Sequence, residues 1–132
     1  MALGAGLGAW GGATYVLRQR AEPSLHQFVH EGLNLSQEQE RRLEVIEHDF
    51  AGRRAQREAE LRQANRELAA AIQNQHTYSP EVRAAIDHFH HAMGELQKDT
   101  VLHILQMRAV LTPEQAAVFD RRVAMALTQT DR

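Results

Sequence analysis

The chain has 132 residues, a length that allows a single domain. Its formal net charge is −2 with acidic and basic residues interspersed, which excludes the basic stripe a nucleic-acid surface needs to neutralise phosphates. There is no cysteine, so disulfides and thiolate metal sites are excluded and any soft ligand must be methionine.

Alanine, leucine, glutamate, glutamine and arginine dominate, with only three prolines and 5 % aromatic residues. These are the side chains that lose least on entering a helix, and they predict an all-α protein. Residues 1–20 form a separate segment. Ala2 to Leu17 carries no charge and is rich in Gly and Ala around Trp10 and Tyr15. It falls short of the roughly 20 apolar residues of a full span. We read it as a truncated or mis-started membrane anchor, in preference to a cleaved signal. No cation precedes it while Arg18 and Arg20 follow, so a strict positive-inside reading would place the rest in the cytoplasm.

Residues 21–132 read as one helical domain. Glu22-Pro23-Ser24 opens a short first helix, and Gly32 is the expected C′ residue that ends it. Ser36 with Gln39 forms a capping box that starts a long second helix, running to about Gln75. His76-Thr77-Tyr78 makes a turn, after which Ser79-Pro80 opens a third helix to about Val110. Thr112-Pro113-Glu114-Gln115 repeats the capping signal before a final helix that ends near Thr128.

Two long helices joined by so short a turn lie antiparallel. On the second, the predicted seam is Leu43, Glu47, Phe50, Arg54, Arg57, Leu61, Ala64, Leu68 and Ala71. On the third it is Val82, Ile86, Phe89, Met93, Leu96, Thr100, His103, Met107 and Val110. The seam is apolar near the turn and polar at the far end. A pivot between Thr77 and Tyr78 puts position 47 opposite about position 108, so Glu47 falls at the height of His103 and Met107. His103 and Met107 are four apart and share a helix face, and His26 and His30 have the same spacing on the first helix. The short loop after Gly32 can fold that helix back over the start of the second.

The candidate metal ligands are therefore His26, His30, Glu47, His103 and Met107. Each has an ordinary alternative. His-x-x-x-His is common on helices, a methionine on an apolar stripe is usually core, and a seam glutamate often pairs with arginine, here Arg54 or Arg57. Their convergence favours a divalent transition metal. Imidazoles, a carboxylate and a thioether suit nickel or cobalt, with zinc or copper also compatible. A bidentate Glu47 would bring the donor count to about six, which leaves no open position for substrate. No nucleophile–base arrangement accompanies it, and Gly4-x-Gly6-x-Gly8 lacks the preceding strand of a phosphate loop. The expectation is a regulator and not an enzyme. The other histidines, His48, His76, His88, His90 and His91, are expected at the surface.

The segments Leu25-His-Gln-Phe-Val-His-Glu31, Leu43-Glu-Val-Ile-Glu-His-Asp-Phe50 and Val101-Leu-His-Ile-Leu-Gln-Met-Arg-Ala109 resemble those of the CnrX-like periplasmic cobalt–nickel resistance sensors, in the heavy-metal resistance family. Tyr-Ser-Pro-Glu-Val at the turn and Arg-Ala-Val-Leu-Thr-Pro-Glu after the third helix extend the likeness, which runs from about Leu25 to Ala126. The resemblance implies the same five ligands and a hooked four-helix fold that forms a homodimer. It also implies periplasmic placement on an inner-membrane anchor, and a membrane-bound anti-sigma factor as partner. Metal binding would then release a sigma factor that transcribes efflux genes. Leu35-Ser-Gln-Glu-Gln39 and Leu111-Thr-Pro-Glu-Gln115 further resemble the paired motifs of periplasmic Spy/CpxP-like proteins, which makes a chaperone or stress adaptor the alternative function. A metal buffer without a membrane partner is the third.

Overall fold

The computed structural model of the protein describes residues 25–128. The expected anchor over 1–20 and the opening of the first helix at Glu22-Pro23-Ser24 lie outside the described residues. Within them the chain is helical, with no strand, as the composition predicts. The helices are α1 (25–32), α2 (Gln37–Gln75), α3 (Pro80–Ala109) and α4 (Pro113–Thr128). No helix among the described residues is long and apolar enough to cross a membrane.

The helix starts follow the local signals. Gln39 N–H donates to Ser36 Oγ at 3.1 Å, and Ser36 N–H donates to Gln39 Oε1 at 2.9 Å. At α4, Gln115 N–H donates to Thr112 Oγ1 at 3.2 Å and Thr112 N–H to Gln115 Oε1 at 2.9 Å. Each box satisfies backbone donors that a helix N-terminus would otherwise leave open. The boxes are also joined, because Gln39 Nε2 donates to Gln115 Oε1 at 2.7 Å and Gln115 Nε2 donates to the Leu33 carbonyl at 3.1 Å. For α3, Ser79 Oγ accepts from Val82 N–H at 3.2 Å, and Pro80 occupies the first turn, where its missing N–H costs nothing. His76, at φ 48°, turns the chain out of α2.

One helix end differs from expectation. Gly32 remains helical, and Asn34 takes the left-handed conformation at φ 58°. Asparagine is among the few non-glycine residues that tolerate this region. Gly32 is small for another reason: a Cβ there would meet Cδ2 and Cε2 of Phe28 at 2.9 Å. The Phe28 ring in turn carries the Arg122 guanidinium at 5.2 Å.

The chain forms two compact units, one running through Glu40 and resuming at Leu111, the other Arg41–Val110. The core of the first is Leu25, Val29 and Leu33 with Ala116 and Phe119 of α4. The second is the antiparallel hairpin of α2 and α3. Every residue of the predicted α2 seam is buried or half-buried. On α3 the stripe differs. Ala85, Ala92 and Asp99 are buried, whereas Ile86, Phe89, Met93 and Thr100 are half-buried. Positions 85/86, 92/93 and 99/100 flank the same line. The larger apolar members suggest the seam in sequence, but the small alanines beside them are the residues fully enclosed. Asp99 is buried because Arg57 meets it, with Arg57 Nε donating to Asp99 Oδ2 at 3.1 Å.

Candidate metal centre

In the first unit, α1 is anchored by Leu25 and Val29, which leaves the face bearing His26 and His30 accessible. His26 is exposed and His30 half-buried. Their rings sit 4.6 Å apart at an interplanar angle of 49°, as the spacing of four predicts. His30 Nδ1 lies 2.6 Å from Glu40 Oε2.

In the hairpin unit, His103 is 3 % exposed and stacks on Phe50, with centroids 4.2 Å apart and an interplanar angle of 9°. Arg54 places its guanidinium 5.7 Å from the Phe50 centroid. Met107, 1 % exposed, follows His103 by one turn, and half-buried Glu47 precedes Phe50 by about one turn. Three rungs set the register: Phe50 with His103, Arg57 with Asp99, and Glu67 with His88. All agree with a pivot between Thr77 and Tyr78. Glu47 and Met107 therefore both project beyond the Phe50–His103 stack, toward the end of the hairpin away from its turn.

Two of the five expected donors, His26 and His30, therefore belong to the unit that holds α1, and three, Glu47, His103 and Met107, to the hairpin unit. The chemistry of each group fits a borderline divalent metal. A solvent-accessible i,i+4 imidazole pair offers two nitrogen donors from one face. The hairpin set adds a nitrogen, up to two oxygens and a sulfur held in a water-poor setting.

Arg57 forms the other polar feature of the hairpin. Besides Asp99 it pairs with Glu60 at 3.2 Å and Glu95 at 3.6 Å. The Asp99 hydrogen bond and the surrounding carboxylates raise its pKa further above the ordinary value, against the opposing pull of burial. Arg54 pairs with Glu58 at 3.5 Å. Asp99 is hard to read from the sequence because its neighbour Thr100 already satisfies the seam spacing. Its signal was its place opposite Arg57.

Of the histidines expected at the surface, His48, His76, His90 and His91 are exposed. His88 is half-buried, with its Nδ1 2.7 Å from Glu67 Oε2 across the two helices. That hydrogen bond is the main reason the Glu67 carboxyl is held below its ordinary value. Glu40 was likewise missed as a partner of His30, since an acidic residue in a first helical turn has an ordinary reason to be there.

The heavy-metal resistance family matches residues 1–118, a stretch containing both donor groups. Over 103 residues the chain is 42 % identical to the nickel and cobalt resistance protein CnrR of Cupriavidus metallidurans (strain ATCC 43123 / DSM 2839 / NBRC 102507 / CH34). That alignment spans 78 % of this chain and 70 % of the relative. With its all-α hairpin and the CnrX-like segments inside the matched stretch, the chain belongs to the heavy-metal resistance family.

Proposed function

We propose that the protein is a periplasmic transition-metal sensor in which His26, His30, Glu47, His103 and Met107 bind one divalent ion, nickel or cobalt. The observation that carries this reading is the buried His103–Met107 face, stacked on Phe50 and accompanied by Glu47 at the same end of the hairpin. A buried imidazole is costlier as core than an aliphatic side chain, and with a thioether one turn away it forms a good ligand pair. The imidazoles and carboxylate supply most of the binding energy, and Met107 adds the weaker, softer donor that can discriminate among metals. The relative's name concerns nickel and cobalt resistance, which favours those ions over zinc or copper. Five residues acting together saturate the ion, so the reading is regulatory and not catalytic.

Signalling then requires the ion to favour one of two conformations, and α1, a short element with two donors, is the natural moving part. The output is a membrane-bound anti-sigma factor controlling heavy-metal resistance genes. The protein acts as a homodimer held to the inner membrane by its N-terminal segment. The Spy/CpxP-like chaperone alternative draws on the two capping boxes, whose reciprocal Ser36–Gln39 and Thr112–Gln115 hydrogen bonds serve helix initiation.

A cobalt(II) titration of the full chain, followed by visible absorption, tests the reading. Stoichiometric binding with weak octahedral-type bands, lost in His103→Ala and altered in Met107→Ala, is the expected result. Binding that ignores both substitutions, or no saturable binding, removes the sensor and leaves metal-independent suppression of client aggregation as the activity to measure.

A further inference from the structure

Glu40 sits in the first turn of α2, where the Ser36–Gln39 capping box holds the backbone and Glu40 N–H donates to the Ser36 carbonyl at 3.0 Å. Gln39 is tied to Gln115, and Gln115 to the Leu33 carbonyl just past α1. This turn is therefore fixed against the end of the histidine-bearing helix. From it Glu40 Oε2 reaches His30 Nδ1 at 2.6 Å, a distance short enough for a charge-assisted hydrogen bond. An ionised carboxylate can only accept, so the hydrogen must sit on Nδ1. In the neutral ring the lone pair is then on Nε2.

We propose that Glu40 is a positioning residue for the metal centre, one that holds the His30 ring in the Nδ1–H tautomer and leaves Nε2 as the donor atom. The inference rests on the metal-sensor reading above and deepens it. Glu40 is not itself a ligand in this scheme, because its oxygen is engaged by the ring it orients. Carboxylate–histidine–metal arrangements of this kind raise the basicity of the imidazole and spare the cost of choosing tautomer and ring angle upon binding. The capping network gives the device its rigidity. The two helix starts and the α1 exit are locked together through side-chain amides, so the acceptor is in place before any ion arrives.

The test uses the full chain with 15N-labelled histidine. Long-range 1H–15N correlation spectra of the metal-free protein, in mildly alkaline buffer, identify which His30 nitrogen carries the hydrogen. Cobalt(II) titrations of the same samples give the affinity. The wild type is expected to show the Nδ1–H form. Glu40→Gln, whose amide oxygen still accepts, retains that form and weakens cobalt binding by less than about tenfold. Glu40→Ala lets the Nε2–H form appear and weakens binding by about 10- to 100-fold. Should Glu40→Ala fail to fold, Glu40→Asp decides the matter. It keeps the charge at the helix start but draws it back by one methylene, and it should behave as the alanine variant does. An Nε2–H form in the wild type, or cobalt affinity indifferent to Ala and Asp alike, overturns the inference. The absence of cobalt binding by the wild type would overturn the sensor reading and, with it, the metal role of Glu40. Binding that survives every Glu40 variant removes Glu40 alone.

Discussion

The Phe50–His103 stack puts an aromatic and an imidazole face to face in a site that a purely apolar hairpin would fill with aliphatic residues. Phe50 is 3 % exposed, so truncating it opens a cavity beside His103. Phe50→Ala should lower the unfolding free energy by about 3–5 kcal/mol, read from urea denaturation of the metal-free protein. Met107→Leu should behave in the opposite sense. The two side chains are close in volume, and the swap should cost less than about 1.5 kcal/mol while removing the only sulfur donor of the set. A methionine kept for packing alone would leave the cobalt spectrum unchanged in Met107→Leu; a thioether ligand would not. At this scale the sequence was informative wherever the argument ran along one helix. The spacings of His26 with His30 and of His103 with Met107 are local, and helical geometry does the rest. Glu40 and Asp99 were not legible because their meaning comes from a partner 10 or 42 residues away, brought near by the loop after α1 or by the hairpin turn.

Helices α2, α3 and α4 begin where their capping residues place them, since each signal lies within four residues of the bond it makes. The end of α1 departs from its signal. Gly32 stays helical against the Phe28 ring while Asn34 takes the left-handed position, and no local pattern reports either. The structure predicts that Asn34→Ala destabilises by about 1 kcal/mol, because alanine resists a positive φ, while Asn34→Gly is neutral or mildly stabilising. Thermal unfolding of the two variants checks the assignment. Between α2 and α3, the Glu67–His88 rung has a consequence for pH. In the folded protein the Glu67 carboxyl is held below its ordinary 4.5 by the His88 hydrogen bond, and in the unfolded chain it regains that value. Its contribution is therefore fully present above about 4.5 and is lost as pH falls through the depressed value. Urea midpoints measured across the acid range should fall less steeply for Glu67→Gln than for the wild type. Equal slopes would mean that the rung, solvated as it is, leaves the pair no net effect.

For the molecule as a whole, the question is whether the two donor groups serve one ion. An ion that binds only the native state stabilises it by mass action, by about 4 kcal/mol when free cobalt is near 1,000 times its Kd. If His26 and His30 share that ion with Glu47, His103 and Met107, neither group alone retains it. His26→Ala and His103→Ala should then each abolish most of the cobalt-induced rise in unfolding temperature, and the double variant should do no more than either. Such non-additivity is the signature of residues acting as one unit. Two independent sites give the other pattern, in which each variant loses its own share and the double loses the sum. Amide exchange supplies the structural counterpart. A shared ion slows exchange across 25–32 in the wild type, and the slowing should vanish in His103→Ala although that substitution lies outside the unit to which α1 belongs. Persistence of the slowing in His103→Ala would assign α1 a metal site of its own and detach it from the hairpin donors. Its disappearance would make the ion the link through which the hairpin and α1 respond together, which is what a sensor needs and a simple metal store does not.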